Sequence, residues 1–259
     1  MRPQGPGAGA WDRWLTVGLG LLMLAGWEGL ARHGEAATLF PPPSVIAWTL
    51  VRLAADGTLA AHVGATLFRL GLGFALGATA GLALGLAMGW SRRARAILDP
   101  LVAAGHPVPK IALLPLVMIL FGIGEASKIV VLAATAFFPM AISAMSGVQR
   151  IDPIRFDVAE NYGARWSLVL RRVVIPGSLP LIMAGARLAL NTALLVGIAI
   201  ETVAAQRGIG AMIWFAWQTL RVEELYAGVI LTAALGVTVN LLLQTVTARI
   251  TPWQAGDDR

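Results

Sequence analysis

Six stretches of the 259-residue chain are apolar for about as long as a helix needs to cross a bilayer, roughly 20 residues. They fall near residues 14–30, 64–90, 98–121, 129–148, 179–204 and 226–247. The third is interrupted at His106-Pro107-Val108-Pro109 and again at Pro115, since an internal proline removes a donor and clashes with the preceding turn. The first has the short, arginine-flanked core of a signal peptide. No small-x-small cleavage site follows it, so the pattern predicts a retained helix. Residues 1–13 are Gly/Pro-rich and read as a disordered arm, residues 14–251 as one six-helix domain, and residues 252–259 as a tail. After Phe40-Pro41-Pro42-Pro43-Ser44, a helical pattern puts Ile46, Leu50 and Leu53 on one side. With Arg52 and Asp56 in or beside it, this segment is expected at the outer membrane surface.

Within the second stretch Gly73, Gly77, Gly81, Gly85 and Gly89 recur every four residues. A four-residue step keeps them on one slowly drifting helix face, where a neighbouring backbone approaches closely. Helix packing is the expected role, and lining of a solute path is the alternative.

Residues 150–176, between the fourth and fifth stretches, are too polar to cross lipid and too patterned for a slack linker. Asp152 suits an N-cap and Pro153 the first helical position. Ile154, Val158 and Tyr162 then share one side, and Asp157, Glu160 and Asn161 another. Gly163 permits a sharp turn or a close contact. A second short helix is expected to start near Ala164 to Trp166 and to stop before Pro176. Two short helices with one apolar face suit a knob that docks on a partner.

Composition narrows the class. Hydrophobic residues make up 57% of the chain and charged residues 13%, about half the charge of an ordinary soluble domain. Cysteine is absent, which excludes a disulfide framework and thiolate metal sites. His33, His62 and His106 stand apart with no ligand spacing, so no metal site is expected. The net charge of +6 is not laid out for nucleic acid. It concentrates instead in two loops, with Arg92, Arg93 and Arg95 in one and Arg150, Arg155, Arg165, Arg171 and Arg172 in the other. In the intervening loops Glu125 offsets Lys128, and Glu223 and Glu224 offset Arg207 and Arg221. Positive loops stay in the cytoplasm, so both termini are expected there.

The 150–176 insert resembles the EAA loop of ATP-binding-cassette (ABC) importer permeases, E-A-A-x3-G-x9-I-x-L-P. The matching positions are Asp157, Val158, Ala159, Gly163, Val173, Ile175 and Pro176 without a gap, with Asp for Glu and Val for Ala. Thr66-Leu67-Phe68-Arg69, Gly73-Phe74, Asp99-Pro100-Leu101, Leu114-Pro115-Leu116 and Phe121-Gly122-Ile123-Gly124-Glu125 look like the nitrate/sulfonate/taurine branch. So do Gly185-Ala186-Arg187-Leu188, Glu201, Gly208-Ile209-Gly210 and Pro252-Trp253, which extends the likeness over residues 40–253. The resemblance implies an all-α polytopic membrane protein, the six-helix transmembrane domain of a type I ABC importer in a bacterial inner membrane. It further implies a second copy of the permease, two cytoplasmic ATPases seated on the loops, and a periplasmic or lipid-anchored binding protein. Sulfonate, taurine or nitrate is the implied cargo, with a small heterocyclic vitamin precursor as the alternative. The chain has no G-x-x-x-x-G-K-[ST] to cradle phosphates, so ATP and magnesium are expected on the partner ATPase and no cofactor on this chain.

Ionisable residues at membrane depth default to functional hypotheses. Arg187, Asn191 and Glu201 on the fifth stretch are candidate pathway residues, Arg187 and Asn191 sharing a face and Arg187 attracting an anion. The competing reading has Arg187 reaching to the interface or pairing inside the bundle. Arg69 near the outer end of the second stretch, and Lys110 after the Pro-x-Pro break, carry the same ambiguity. Glu28 reads as interfacial. An ion-coupled secondary transporter would use the break at Pro107–Pro115 but leave the EAA-like loop without a purpose. A membrane enzyme would need converging acids or histidines, which the sequence disperses.

Overall fold

The computed structural model describes residues 8–33 and 39–253, and within them the regular elements are helical. In chain order they are α1 (Ala8–His33), α2 (Pro43–Ala55), α3 (Thr58–Trp90), α4 (Arg92–Gly105), a 3-10 turn (Lys110–Leu113), α5 (Leu114–Phe121) and α6 (Glu125–Gln149). Then follow α7 (Pro153–Asn161), α8 (Trp166–Val169), a π-helical stretch (Leu170–Val174), α9 (Ile175–Ala204), α10 (Ile209–Gln218) and α11 (Val222–Ile250). Five spans are long and apolar enough to cross a membrane, and α4 with the 3-10 turn and α5 makes a sixth, bent by 88°.

Four local expectations change. α1 starts at Ala8, so residues 8–13 of the expected arm are helical, while residues 1–7 of that arm and 254–259 of the tail lie outside the described residues. The third crossing is two helices at nearly a right angle, because Pro107 and Pro109 carry no N–H with which to continue α4. The second loop helix does not stop before Pro176. Residues 166–204 form one continuous apolar span. The chain widens into a π turn at Leu170–Val174, where the Ile175 N–H donates to Leu170 O, and the helix runs on through Pro176 at the start of α9. α10 was not anticipated, being a ten-residue apolar segment too short to read as a crossing.

The chain divides into two compact units. In the first, residues 1–60 with 212–230, Ser44 donates its N–H to Glu28 (3.0 Å) and its hydroxyl to the same carboxylate (2.7 Å), with Arg32 on that carboxylate as well. Ile46, Thr49 and Leu53 are the buried side of α2, Leu50 lying only partly inside. Arg52 and Arg221 both reach Glu224, each at 3.1 Å. At the α2–α3 junction the Thr58 N–H donates to Asp56 (2.9 Å) and holds its carboxyl below the usual carboxylate range.

In the second unit, residues 61–211 with 231–259, α6 is the central element and more than half of its apolar window is buried. The glycine face of α3 lies against it. A methyl group on Gly73 would sit 2.6 Å from Leu132 Cβ, and one on Gly89 2.6 Å from Val148 Cβ. On Gly77, Gly81 and Gly85 it would run into the carbonyl oxygens of Ala133, Phe137 and Ala141. α6 meets α9 in the same way, Gly147 against Ser178 and Gly197 against Leu132. The core between the helices is Leu70, Val131, Leu132, Ala193, Leu194 and Ile200 toward one end. Ala78, Met140, Ala144, Ile182 and Ala186 fill the next layer.

Candidate functional site

The 150–176 insert folds as a knob with two different faces. Asp152 accepts the Ile154 N–H at 3.0 Å, and Pro153 opens α7. At the other end Gly163 takes φ +64°. Its N–H donates to Glu160 O (2.8 Å) and the Ala164 N–H to Ala159 O (2.9 Å), the pair of bonds that closes a helix on a left-handed residue. No atom lies within 4 Å of a methyl group placed there, so Gly163 is needed for the turn and not for a close contact. One face packs inward, with Phe156, Val169, Leu170 and Val173 against Val148, Ile151 and Val174. Trp90 at the end of α3 wedges between the Phe156 and Trp166 rings, at 6.1 and 5.7 Å. The other face carries Ile154, Val158 and Tyr162, and the Tyr162 side is 86% exposed. Asp157 is exposed on the same helix, Ala159 half-buried, Ile175 exposed and Pro176 half-buried. A stripe of exposed apolar side chains on a capped helix is a common mark of an interaction surface.

At the far end of α6 a charge cluster ties three helices together. Arg69 donates through Nε and Nη2 to Glu125, the Nη2 bond being 2.9 Å. Its Nη1 donates to Glu201 (2.7 Å) and to Arg207 O (2.6 Å). The Thr66 hydroxyl donates to Glu201 Oε2 (2.9 Å), the Gly210 N–H donates to the same oxygen (3.1 Å), and the Ile209 N–H donates to Thr66 (2.9 Å). His62 Nδ1 lies 2.8 Å from Gly208 O. Gly208 has φ +136°, and a methyl group there would overlap the Glu201 carboxylate. The cluster opens onto a cavity of about 560 Å³ lined by Arg69, Glu125, Lys128, Gln206 and Arg207.

Glu201 is only 2% exposed, with its acceptor sites taken up by Arg69, Thr66 and Gly210. It therefore fixes the Gly208-Ile209-Gly210 turn. Asn191 exchanges two amide bonds with Asn240 of α11, at 3.2 and 3.1 Å. Arg187 is half-buried and, among the described residues, has no hydrogen bond or ion pair. The structure thus brings none of the three pathway candidates together. Thr66, His62, Glu125 and Asn240 were not foreseen as members of a site, because each contact joins segments 49 or more residues apart. The available signal was depth: Arg69, Glu125 and Glu201 each lie within a few turns of the same end of an apolar stretch.

The break in the third span is closed by Lys110. Its ammonium donates to Gly105 O (2.7 Å), His106 O (2.9 Å) and Val108 O (2.7 Å), and sits 4.3 Å above the Phe138 ring. All three protons are used, and the carbonyls that the break frees are satisfied without an added ion. A secondary transporter would keep such carbonyls for a coupling cation; here a lysine fills them.

Long apolar helices in close main-chain contact, a buried ionic staple at one end and a rigid knob at the other define a polytopic permease driven from outside the membrane. The chain belongs to the family of binding-protein-dependent transport system inner membrane components, whose pattern matches residues 73–255. It is 36% identical to the taurine transport system permease protein TauC of Escherichia coli K12, over 92% of this chain and 89% of that one. It is 32% identical to the aliphatic sulfonates transport permease protein SsuC of Bacillus subtilis 168, described there as putative, over 90% and 85%. Its fold matches the inward-facing MetNI methionine ABC transporter with a TM-score of 0.61 at 21% identity, over 79% of this chain and 97% of that one. It is a multi-pass inner-membrane permease subunit of an ABC importer, binds no cofactor itself, and leaves ATP hydrolysis to a separate subunit.

Proposed function

We propose that this permease carries a small organic sulfonate of the taurine type into the cytoplasm, with the 150–176 knob as the seat of its ATPase. The observation that carries the coupling half is the exposed stripe of Ile154, Val158 and Tyr162 on a helix locked at both ends. Its spacing around Asp157, Val158, Ala159, Gly163, Val173, Ile175 and Pro176 follows the EAA pattern. The cargo half is supported by the likeness to permeases named for taurine and for aliphatic sulfonates.

In this reading two copies pair around the path, two ATPases grip the two knobs, and a secreted receptor delivers the solute to the opposite face. The arginines of the knob and of the start of α4 support a cytoplasmic position for that side, and with it for both termini. Nucleotide-driven closure of the motors favours one membrane state because the motor binds the two states with different affinity.

The test is purification of the tagged chain from its native membrane. A P-loop ATPase should come down with it, and deletion of residues 157–163 should release that ATPase while the permease stays in the membrane. Retention of the ATPase by the deleted form refutes the coupling role. Uptake of radiolabelled taurine should depend on the intact chain, whereas competition by nitrate or a heterocycle in place of sulfonates overturns the cargo assignment alone.

A further inference from the structure

The cavity beside the Arg69 clamp is lined by groups whose bonding capacity the clamp leaves over. It lies at the Glu125 end of α6, whereas the knob packs on Val148 at the other end. Its volume of about 560 Å³ falls within the range of about 300–1,000 Å³ usual for small-molecule sites. Arg69 has little left to give, with bonds to Glu125, to Glu201 and to the Arg207 carbonyl.

Lys128 is different. Its side chain is 4% exposed, and its ammonium donates to Gly124 O at 3.0 Å and to Ile123 O at 3.3 Å. Glu125 Oε1 stands at 3.8 Å, beyond hydrogen-bond reach. An ammonium has three protons, so a buried donor at the cavity wall is unspent. Arg207 lends its carbonyl to the clamp, but its guanidinium is exposed and makes no hydrogen bond or ion pair among the described residues.

The leftover acceptor is Glu125. Its side chain is 49% exposed and accepts two bonds from Arg69, while a carboxylate has about four acceptor sites. Three cations, Arg69, Lys128 and Arg207, stand against the two carboxylates of Glu125 and Glu201, so the cluster keeps a net positive charge. A lone oxyanion would fill the spare donors and meet the half-exposed carboxylate as a like charge. A lone amine would fill the spare acceptor and meet the cations. A small molecule that carries both charges meets neither penalty.

We propose that this cavity receives an aminoalkanesulfonate as a zwitterion, its sulfonate on Lys128 and Arg207 and its ammonium on Glu125. The ligand then runs antiparallel to the Glu125–Lys128 pair, whose charges are 3.8 Å apart. The short carbon tether of a taurine-like molecule keeps its own charges comparably close. Bonds of this kind, with both partners ionised, are about twice as strong as neutral ones. The choice of ligand rests on the sulfonate-permease reading, which also puts the arrival of solute at this end; the unspent donors and acceptor do not depend on it.

The chain contains no cysteine, so Ala204→Cys places a single thiol in the cavity wall, with Tyr162→Cys on the knob as control. The permease with its ATPase, in nanodiscs and without receptor, is treated with a small neutral methanethiosulfonate, and the modified peptide is measured by mass spectrometry. Taurine should slow modification of Ala204→Cys in a saturable way and leave Tyr162→Cys untouched. Ethanesulfonate, which lacks the amine, should need at least about ten times the concentration, the worth of one hydrogen bond to a charged group.

Added to Ala204→Cys, Glu125→Gln should bring the two ligands level, and Arg207→Gln should weaken both by about tenfold. Arg207→Gln leaves in place the carbonyl that Arg69 uses, so it still reads the site if Glu125→Gln fails to assemble. Equal protection by taurine and ethanesulfonate without those changes overturns the proposal. So does protection that Arg207→Gln does not alter, or no protection by either ligand. Protection by taurine in a transporter that imports some other solute would sink the cargo assignment and leave the site standing; taurine uptake with no protection would do the reverse.

Discussion

At Gly77 a single methyl group would collide with the Ala133 main chain, and at Gly81 with that of Phe137. Neither obstacle is a flexible side-chain end. Gly77→Ala or Gly81→Ala should therefore cost about 1–3 kcal/mol, the usual range for overpacking, seen as a lower melting temperature of the purified complex in detergent. Gly71→Ala, with nothing within 4 Å of the new methyl, should leave it unchanged. Lys110→Met is a harsher change, since it orphans up to three carbonyls, each worth about 1–3 kcal/mol when buried without a donor. Loss of the subunit from the membrane fraction is the expected result, and normal yield would show that water replaces the ammonium. Glu201→Ala leaves Arg69 short of one of two counter-charges at a buried site and should destabilise by about 3–5 kcal/mol, again read from thermal melting. The glycine repeat could be read straight from the sequence because a helix face is a local property. The Arg69–Glu201 pairing could not, because it spans 132 residues and hydropathy carries no record of which apolar stretches are neighbours.

Helices were legible to the extent that their ends were marked. Asp152-Pro153 gave the start of α7 and Gly163 its end, both for the reasons that the hydrogen bonds now display. Pro176 misled, since a proline ordinarily stops a helix and here the π stretch at Leu170–Val174 carries the chain past it. α10 escaped because ten apolar residues between two crossings fit no length class. Two predictions belong to these elements. Gly163→Val forces a side chain into a left-handed backbone at about 1–2 kcal/mol; it should abolish uptake while the permease still reaches the membrane, as measured by transport and by membrane-fraction blotting. Pro176→Ala restores an N–H and lets residues 170–174 return to α geometry, which turns the knob by up to about 100° about the α9 axis. ATP hydrolysed per solute imported should rise, and an unchanged ratio would mean that the wide turn has no part in coupling.

For the molecule as a whole, the arginine distribution, the six apolar stretches and the polar insert pointed to a polytopic membrane protein with a docking knob, and the likeness to importer permeases supplied the external motor. The right-angle bend of the third span was not foreseeable in magnitude, because prolines announce an interruption without fixing its angle. Nor was the depth of the break, which follows only from its registry with Phe138. Six crossings and a knob are shared by any importer of this shape, so what separates one cargo from another has to be sought in the polar groups that line the cavity beside Arg69 and in the receptor outside.

Residues 166–204 are one rod, about 57 Å from end to end at helical rise. Its lower end carries the Trp166 side of the knob and its upper end carries Glu201, clamped by Arg69. In the proposed coupling role, a pull on the knob travels through continuous backbone to the Arg69–Glu201 clamp, and the one departure from α geometry within the span is the π turn just before Pro176. In that role the rod is a crankshaft, its two ends obliged to turn together because one unbroken length of chain joins them.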